Sequence, residues 1–205
     1  MPVTGIIISS AIKANMVPRS IKGRDAGSLA DAVGTSVALH VTTPNMVTCT
    51  LNGTAGPTGT ITSLAVVGIV SKAMSGLMTA KAQTKKLTGR DIMTLFDAVS
   101  SGISQVLMGM ILTGTAVGCA VGAGTGKFMA LNAKALAGLI VLNATAKSFR
   151  GRNMVDLADC IAFGIVSHLK SSATFTVLAA GAIAPTPPTG PMAVVGIPSV
   201  ITKVS

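Results

Sequence analysis

Three stretches of this chain begin alike: Gly23-Arg24-Asp25 runs into AGSLADAV, Gly89-Arg90-Asp91 into IMTLFDAV, and Gly151-Arg152-Asn153 into MVDLADCI. Self-similarity in a common register constrains architecture more tightly than any single motif, because each copy buries its apolar face against its sisters. Leu29, Leu95 and Leu157 share one position in the copies, and Asp31, Asp97 and Asp159 share another. Apolar residues then recur every four positions, at Val33, Val37 and Val41, at Val99, Ile103 and Leu107, and at Ile161, Ile165 and Leu169. That spacing lays them along one helix face. Asp25, Asp91 and Asn153 stand where an N-cap belongs, each two residues after a glycine that permits a sharp turn.

Beyond each helix the texture changes. Copy one continues through NMVTCTLNGTAGPTGTI and copy three through SATFTVLAAGAIAPTPPTGP, which alternate Thr with apolar residues; copy two has TAVGCAVGAGTGK in that place. Alternation bounded by Gly and Pro predicts short strands and a loop. A second helix is expected in TSLAVVGIVSKAMSGLMTAKAQ and in FMALNAKALAGLIVLNATAK, with basic residues toward its end, as a helix C-terminus prefers. The pattern therefore predicts an α+β, helix-rich fold and a single structural domain over residues 1–205. Its quasi-repeats are 23–88, 89–150 and 151–205, with 1–22 a partial repeat. Each full copy holds a capped amphipathic helix, Gly/Thr-rich short strands or a loop, and a second helix. The first residues look like a second half without its first half, so the two ends are expected to complete one another, within the chain or between neighbouring subunits in a ring or filament.

Composition narrows the chemistry. Hydrophobic residues make up 49% against 11% charged, with 23 Gly, 5 Phe and no Trp or Tyr. Such a core closes on small residues that let backbones approach, rather than on aromatics. Gly122, Gly124, Gly126 and Lys127 suggest a phosphate loop, but Val121 stands where the first Gly is required and Phe128 where Ser or Thr is. His40 and His168 share one repeat position that Val106 fills in copy two, and no Gly-x-Ser-x-Gly elbow is present. No His, Cys or carboxylate cluster has ligand spacing. The expectation is a protein that is not an enzyme, with no catalytic residue, no cofactor and no metal. Cys49, Cys119 and Cys160 are unpaired by spacing and read as small core residues in a reducing compartment, and with only about eight mostly apolar residues near the start and no basic residue ahead of them, synthesis and use without export are expected.

Sixteen Lys and Arg against six acidic residues give a net charge of +10, which points to a polyanion or to acidic protein surfaces. The repeated pairs Arg24 and Asp31, Arg90 and Asp97, and Arg152 and Asp159 are the candidate interface residues. Seven positions along a helix put the partners about 10 Å apart, so pairing is expected between adjacent repeats or subunits, where Arg holds carboxylate bidentately. No aromatic residues interleave the other basic residues, which argues against base stacking and leaves non-specific contact with packaged DNA as one alternative. The uncharged run GISQVLMGMILTGTAVGCAVGAG is long enough to span a bilayer, and a small holin-like integral membrane protein is the other alternative. Its Gln, Ser, Thr and Gly content, with no Trp or Tyr at either end, makes a membrane partner the weaker expectation.

The stretch LADCIAFGIVSHLKSSATFTVLAAGAIAPTPPTGP resembles structural proteins of tailed-bacteriophage virions, in which a short helix runs into a Thr- and Gly-rich segment. The other two copies carry weaker versions. This resemblance implies a virion component of the neck, tail or baseplate, assembled in the host cytoplasm. Its implied partners are further copies of the chain, other virion proteins, or both.

Overall fold

A computed structural model describes residues 3–43, 47–87, 89, 91–108, 111–118, 121–127, 131–151, 153–172, 174–180 and 192–204; side chains are described for 3–43, 69–87, 89, 91–108, 131–151 and 153–171. The latter part holds six helices: α1 (Gly5–Met16), α2 (Ala26–Thr42), α3 (Ser71–Thr84), α4 (Ile92–Met108), α5 (Ala133–Ala146) and α6 (Met154–Ser172). It is 77% helical and contains no strand of its own. The expected α+β fold is corrected accordingly: the body that carries the described core is helix packed on helix. The apolar stripes are satisfied by neighbouring helices, so no sheet is needed to cover them.

Five further segments, Val47–Ile69, Ile111–Gly118, Val121–Lys127, Thr174–Ala180 and Met192–Val204, follow extended backbone paths that pair antiparallel in a closed order. Ile69, at the end of the first, is their one described contribution to the core. The second helices also begin later than their sequence suggests, at Ser71 and Ala133, because the residues ahead of Ser71 run extended up to Ile69. The apolar run proposed as a membrane span is divided between the end of α4 and an extended segment from Ile111. Among the described residues no helix is long and apolar enough to cross a membrane.

The helices close a ring. Each packs on the helices before and after it in the chain, and α1 lies against both α2 and α6. The two ends of the helical body thus meet inside one chain, α1 filling the place that a second helix after α6 would take. The interior is mostly apolar and contiguous: Val33 and Val37 of α2, Val99 and Ile103 of α4, and Ile161 and Ile165 of α6 are buried in one cluster with Ile8 and Ile12, Met74 and Met78, and Leu136 and Ile140 of the odd-numbered helices. Leu95 is buried, while Leu29 and Leu157 pack on the core only in part. Asp25 occupies the N-cap of α2 without a side-chain capping bond. Asn132 caps α5 instead, accepting from the backbone N–H groups of Lys134 and Ala135.

Small residues set the crossings. A Cβ on Gly34 would sit 2.7 Å from the Ser9 backbone nitrogen, and one on Gly164 would sit 2.9 Å from that of Ile12, so α1 is pressed against α2 on one side and α6 on the other. Gly138, midway along α5, has nothing within 4 Å of that position. Opposite outcomes follow for one substitution. Gly34→Ala forces two backbones apart and is expected to cost about 1–3 kcal/mol, whereas Gly138→Ala stabilises by roughly 0.5–1 kcal/mol through helix propensity. Urea denaturation of both variants measures the two signs.

Candidate functional site

The repeated aspartates are the charged groups that the fold draws together, and each lies in the second turn of an even-numbered helix. Asp31 accepts hydrogen bonds from the Ser9 hydroxyl and from Lys13 Nζ at 2.7 Å, and Lys85 Nζ stands 3.9 Å from its other oxygen. Asp97 accepts from the Ser75 hydroxyl and from Lys147 Nζ at 2.9 Å. Asp159 lies 3.6 Å from an Arg19 guanidinium nitrogen, and the same guanidinium reaches Asp156 at 3.8 Å and the buried Cys160 Sγ at 3.8 Å. In all three places the carboxylate on one helix meets a hydroxyl or a cation from another.

The predicted interface arginines are placed differently. Arg24 is exposed, with 95% of its side chain open to solvent, and its nearest carboxylate is that of the adjacent Asp25 at 3.7 Å. Within the chain Asp31 is engaged by lysines instead. Arg90 and Arg152 lie outside the described residues. The cations that do the bridging, Arg19, Lys85 and Lys147, each stand four residues ahead of the glycine of the next Gly-Arg motif. That common offset is visible in the sequence. It goes unnoticed when the repeat is read only forward from its glycine. Ser20, Lys86 and Ser148 follow these cations with positive φ, turning the chain from one helix toward the next.

Electrostatics agree with the geometry. Burial raises the Asp31 carboxyl, but the hydrogen bonds from Lys13 and Ser9 and the charges of Lys13 and Lys85 outweigh it and hold the group below its ordinary value. The hydrogen bonds from Ser75 and Lys147 do the same for Asp97, outweighing its burial. Part of each pair faces water, so its contribution to stability is modest, about 0–1 kcal/mol.

A cleft opens beside each aspartate. The one between α5 and α6, about 560 Å³, is lined by Ala133, Lys134, Ala137, Gly138, Val141, Val155, Phe163, Asp159 and Arg19. Corresponding positions between α3 and α4 form a cleft of about 530 Å³ with Ser71, Lys72, Ser75, Gly76, Thr79, Met93, Ser101, Asp97 and Lys147. Between α1 and α2 a smaller cleft, about 340 Å³, carries Ile6, Ser9, Ser10, Lys13, Thr35, Asp31 and Lys85, with Lys81 and Thr84 of α3. One frame thus presents three surfaces: apolar, mixed, and polar with excess positive charge. Among the described residues no group of three His, Cys, Asp or Glu is placed to hold a metal ion.

The two histidines are core residues. His168 Nε2 accepts from the Thr4 backbone N–H at 3.2 Å, which ties the entry of α1 to α6. His40 is 1% exposed, and neither ring nitrogen has a hydrogen-bond partner among the described residues. No family model matches this chain, and neither the curated proteins nor the solved structures yield a match.

Burial lowers the proton affinity of both imidazoles. The unfolded chain therefore takes up protons first as the pH drops. The histidine contribution to stability is complete above the ordinary imidazole value of 6.5 and is lost as the pH falls below it toward the folded values. His40→Leu replaces an unpartnered buried ring with apolar volume. It is expected to leave stability at pH 7.5 unchanged or raised and to reduce the loss between pH 7 and pH 5, as measured by thermal denaturation across that range.

Proposed function

We propose that this protein is a non-enzymatic structural subunit of a phage virion, a component of the tail, baseplate or neck that assembles with further copies of itself. The observation that carries the assembly reading is the contrast among the three clefts. Where the α1–α2 and α3–α4 clefts offer Thr35 and Ser101, the α5–α6 cleft offers Phe163, and Val155 stands where α2 has Gly27. Phe163 is 48% exposed and Val155 60% exposed, beside Val141 and the alanines of α5. Scattered apolar residues on a surface carry no message, but a contiguous apolar cleft edged by charge is the form of a protein–protein contact.

The virion setting rests on the resemblance of residues 157–191 to tailed-phage structural proteins. The assembly reading is compatible with the closed helical ring: because α1 already lies between α2 and α6, association uses the outer surface of a folded unit rather than an exchange of chain ends.

Sedimentation velocity over a concentration series tests this reading. The wild-type protein is expected to show concentration-dependent association. Val155→Asp/Phe163→Asp, which puts two charges on the apolar wall without touching a buried position, is expected to shift the midpoint at least tenfold toward higher concentration, as the loss of a central apolar contact does. A wild-type protein that stays monomeric up to millimolar concentration would refute the assembly.

A further inference from the structure

We propose that the cleft between α1 and α2, closed at one end by the last turn of α3, binds the phosphodiester backbone of a nucleic-acid duplex. This inference is independent of the apolar α5–α6 contact and concerns a different partner. Three lysines, Lys13, Lys81 and Lys85, line the cleft against one carboxylate, Asp31, whereas each sister cleft is lined by two cations and one aspartate. Asp31 is already engaged on both oxygens, by Ser9 and Lys13 on one and by Lys85 on the other, and Lys81 meets no carboxylate among the described residues. The cleft therefore holds positive charge that the chain itself does not neutralise.

The identity of the partner follows from the kind of group present. Hydroxyls of Ser10 and Thr35 stand among the lysines, and Lys with Ser and Thr is the donor set that contacts phosphate oxygens. The cations here are lysines, compact point charges of a kind that contacts phosphate oxygens. No aromatic side chain lines the cleft. Bases have nothing to stack on, so the contact is with a duplex backbone and independent of sequence.

Fluorescence anisotropy of the full chain with a short labelled duplex of arbitrary sequence tests the assignment. Lys81→Ala/Lys85→Ala is expected to raise Kd by on the order of tenfold and to lower the slope of log Kd against log salt by about 2. Lys81→Arg/Lys85→Arg, which keeps both charges, retains binding. Lys72→Ala/Lys134→Ala removes the same charge from the first turns of α3 and α5 and is expected to leave Kd within about twofold. Three results would overturn the proposal: no binding by the wild-type chain, equal weakening by the two alanine pairs, or competition by polyglutamate as strong as that by unlabelled duplex. Sedimentation of Lys81→Ala/Lys85→Ala is expected to match the wild type, so a failure of this inference is distinct from a failure of the assembly reading.

Discussion

Everything in the helical body depends on α1 lying between α2 and α6. The helices, twelve to nineteen residues long, draw most of their stability from packing an apolar face rather than from helix propensity. In an open row of five, the end helices would each leave one flank uncovered. Closing the row with α1 covers both. The contact is close enough that glycine is required at Gly34 on one side and at Gly164 on the other. Ile8 and Ile12 are then fully buried in the common interior, and His168 receives the Thr4 backbone N–H at the seam. α6 and α1 supply the halves of one unit, and the helical ring closes within the chain.

That closure explains why the aspartates matter. An even-numbered helix meets its preceding neighbour through apolar side chains on the inner face, and Asp31, Asp97 and Asp159 occupy the outer edge of the same contact. Each takes a cation from the turn after a different odd-numbered helix: Lys85 after α3, Lys147 after α5 and Arg19 after α1. The bridges therefore run across helix pairs and lock their relative order more than they add to stability, since half-exposed pairs contribute little. Because Arg19 precedes α2 in the chain yet serves α6, the third bridge also fastens the closing helix.

Much of the helical pattern could be read from the amino-acid sequence. The four-residue recurrence through Val33, Val37 and Val41 marks a buried face, and the Gly-Arg motifs stand just before α2, α4 and α6. The α+β expectation failed because Thr/apolar alternation reports local backbone preference and says nothing of which elements share a core. One second helix looked too long for a related reason: LAVVGIV carries no polar side chain, and such a run does not distinguish helix from extended chain. At the aspartates, a motif read in one direction selected Arg24, its nearest cation in the copy. The folded chain selects Lys13 and Lys85 instead, which lie in other elements and which spacing within one helix could not reveal.

Divergence of the clefts separates scaffold from recognition. The positions that build the frame keep their character in all three copies: aspartate in the second turn, a cation ahead of the next glycine, small residues at the crossings. The positions that face outward beside them do not, running from Thr35 through Ser101 to Phe163, and from Lys13 through Thr79 to Val141. A threefold repeat whose outer walls were equivalent would offer one kind of partner three times over. With one wall apolar and another cationic while the carboxylate between them is constant, the chain presents two different surface chemistries on one helical frame.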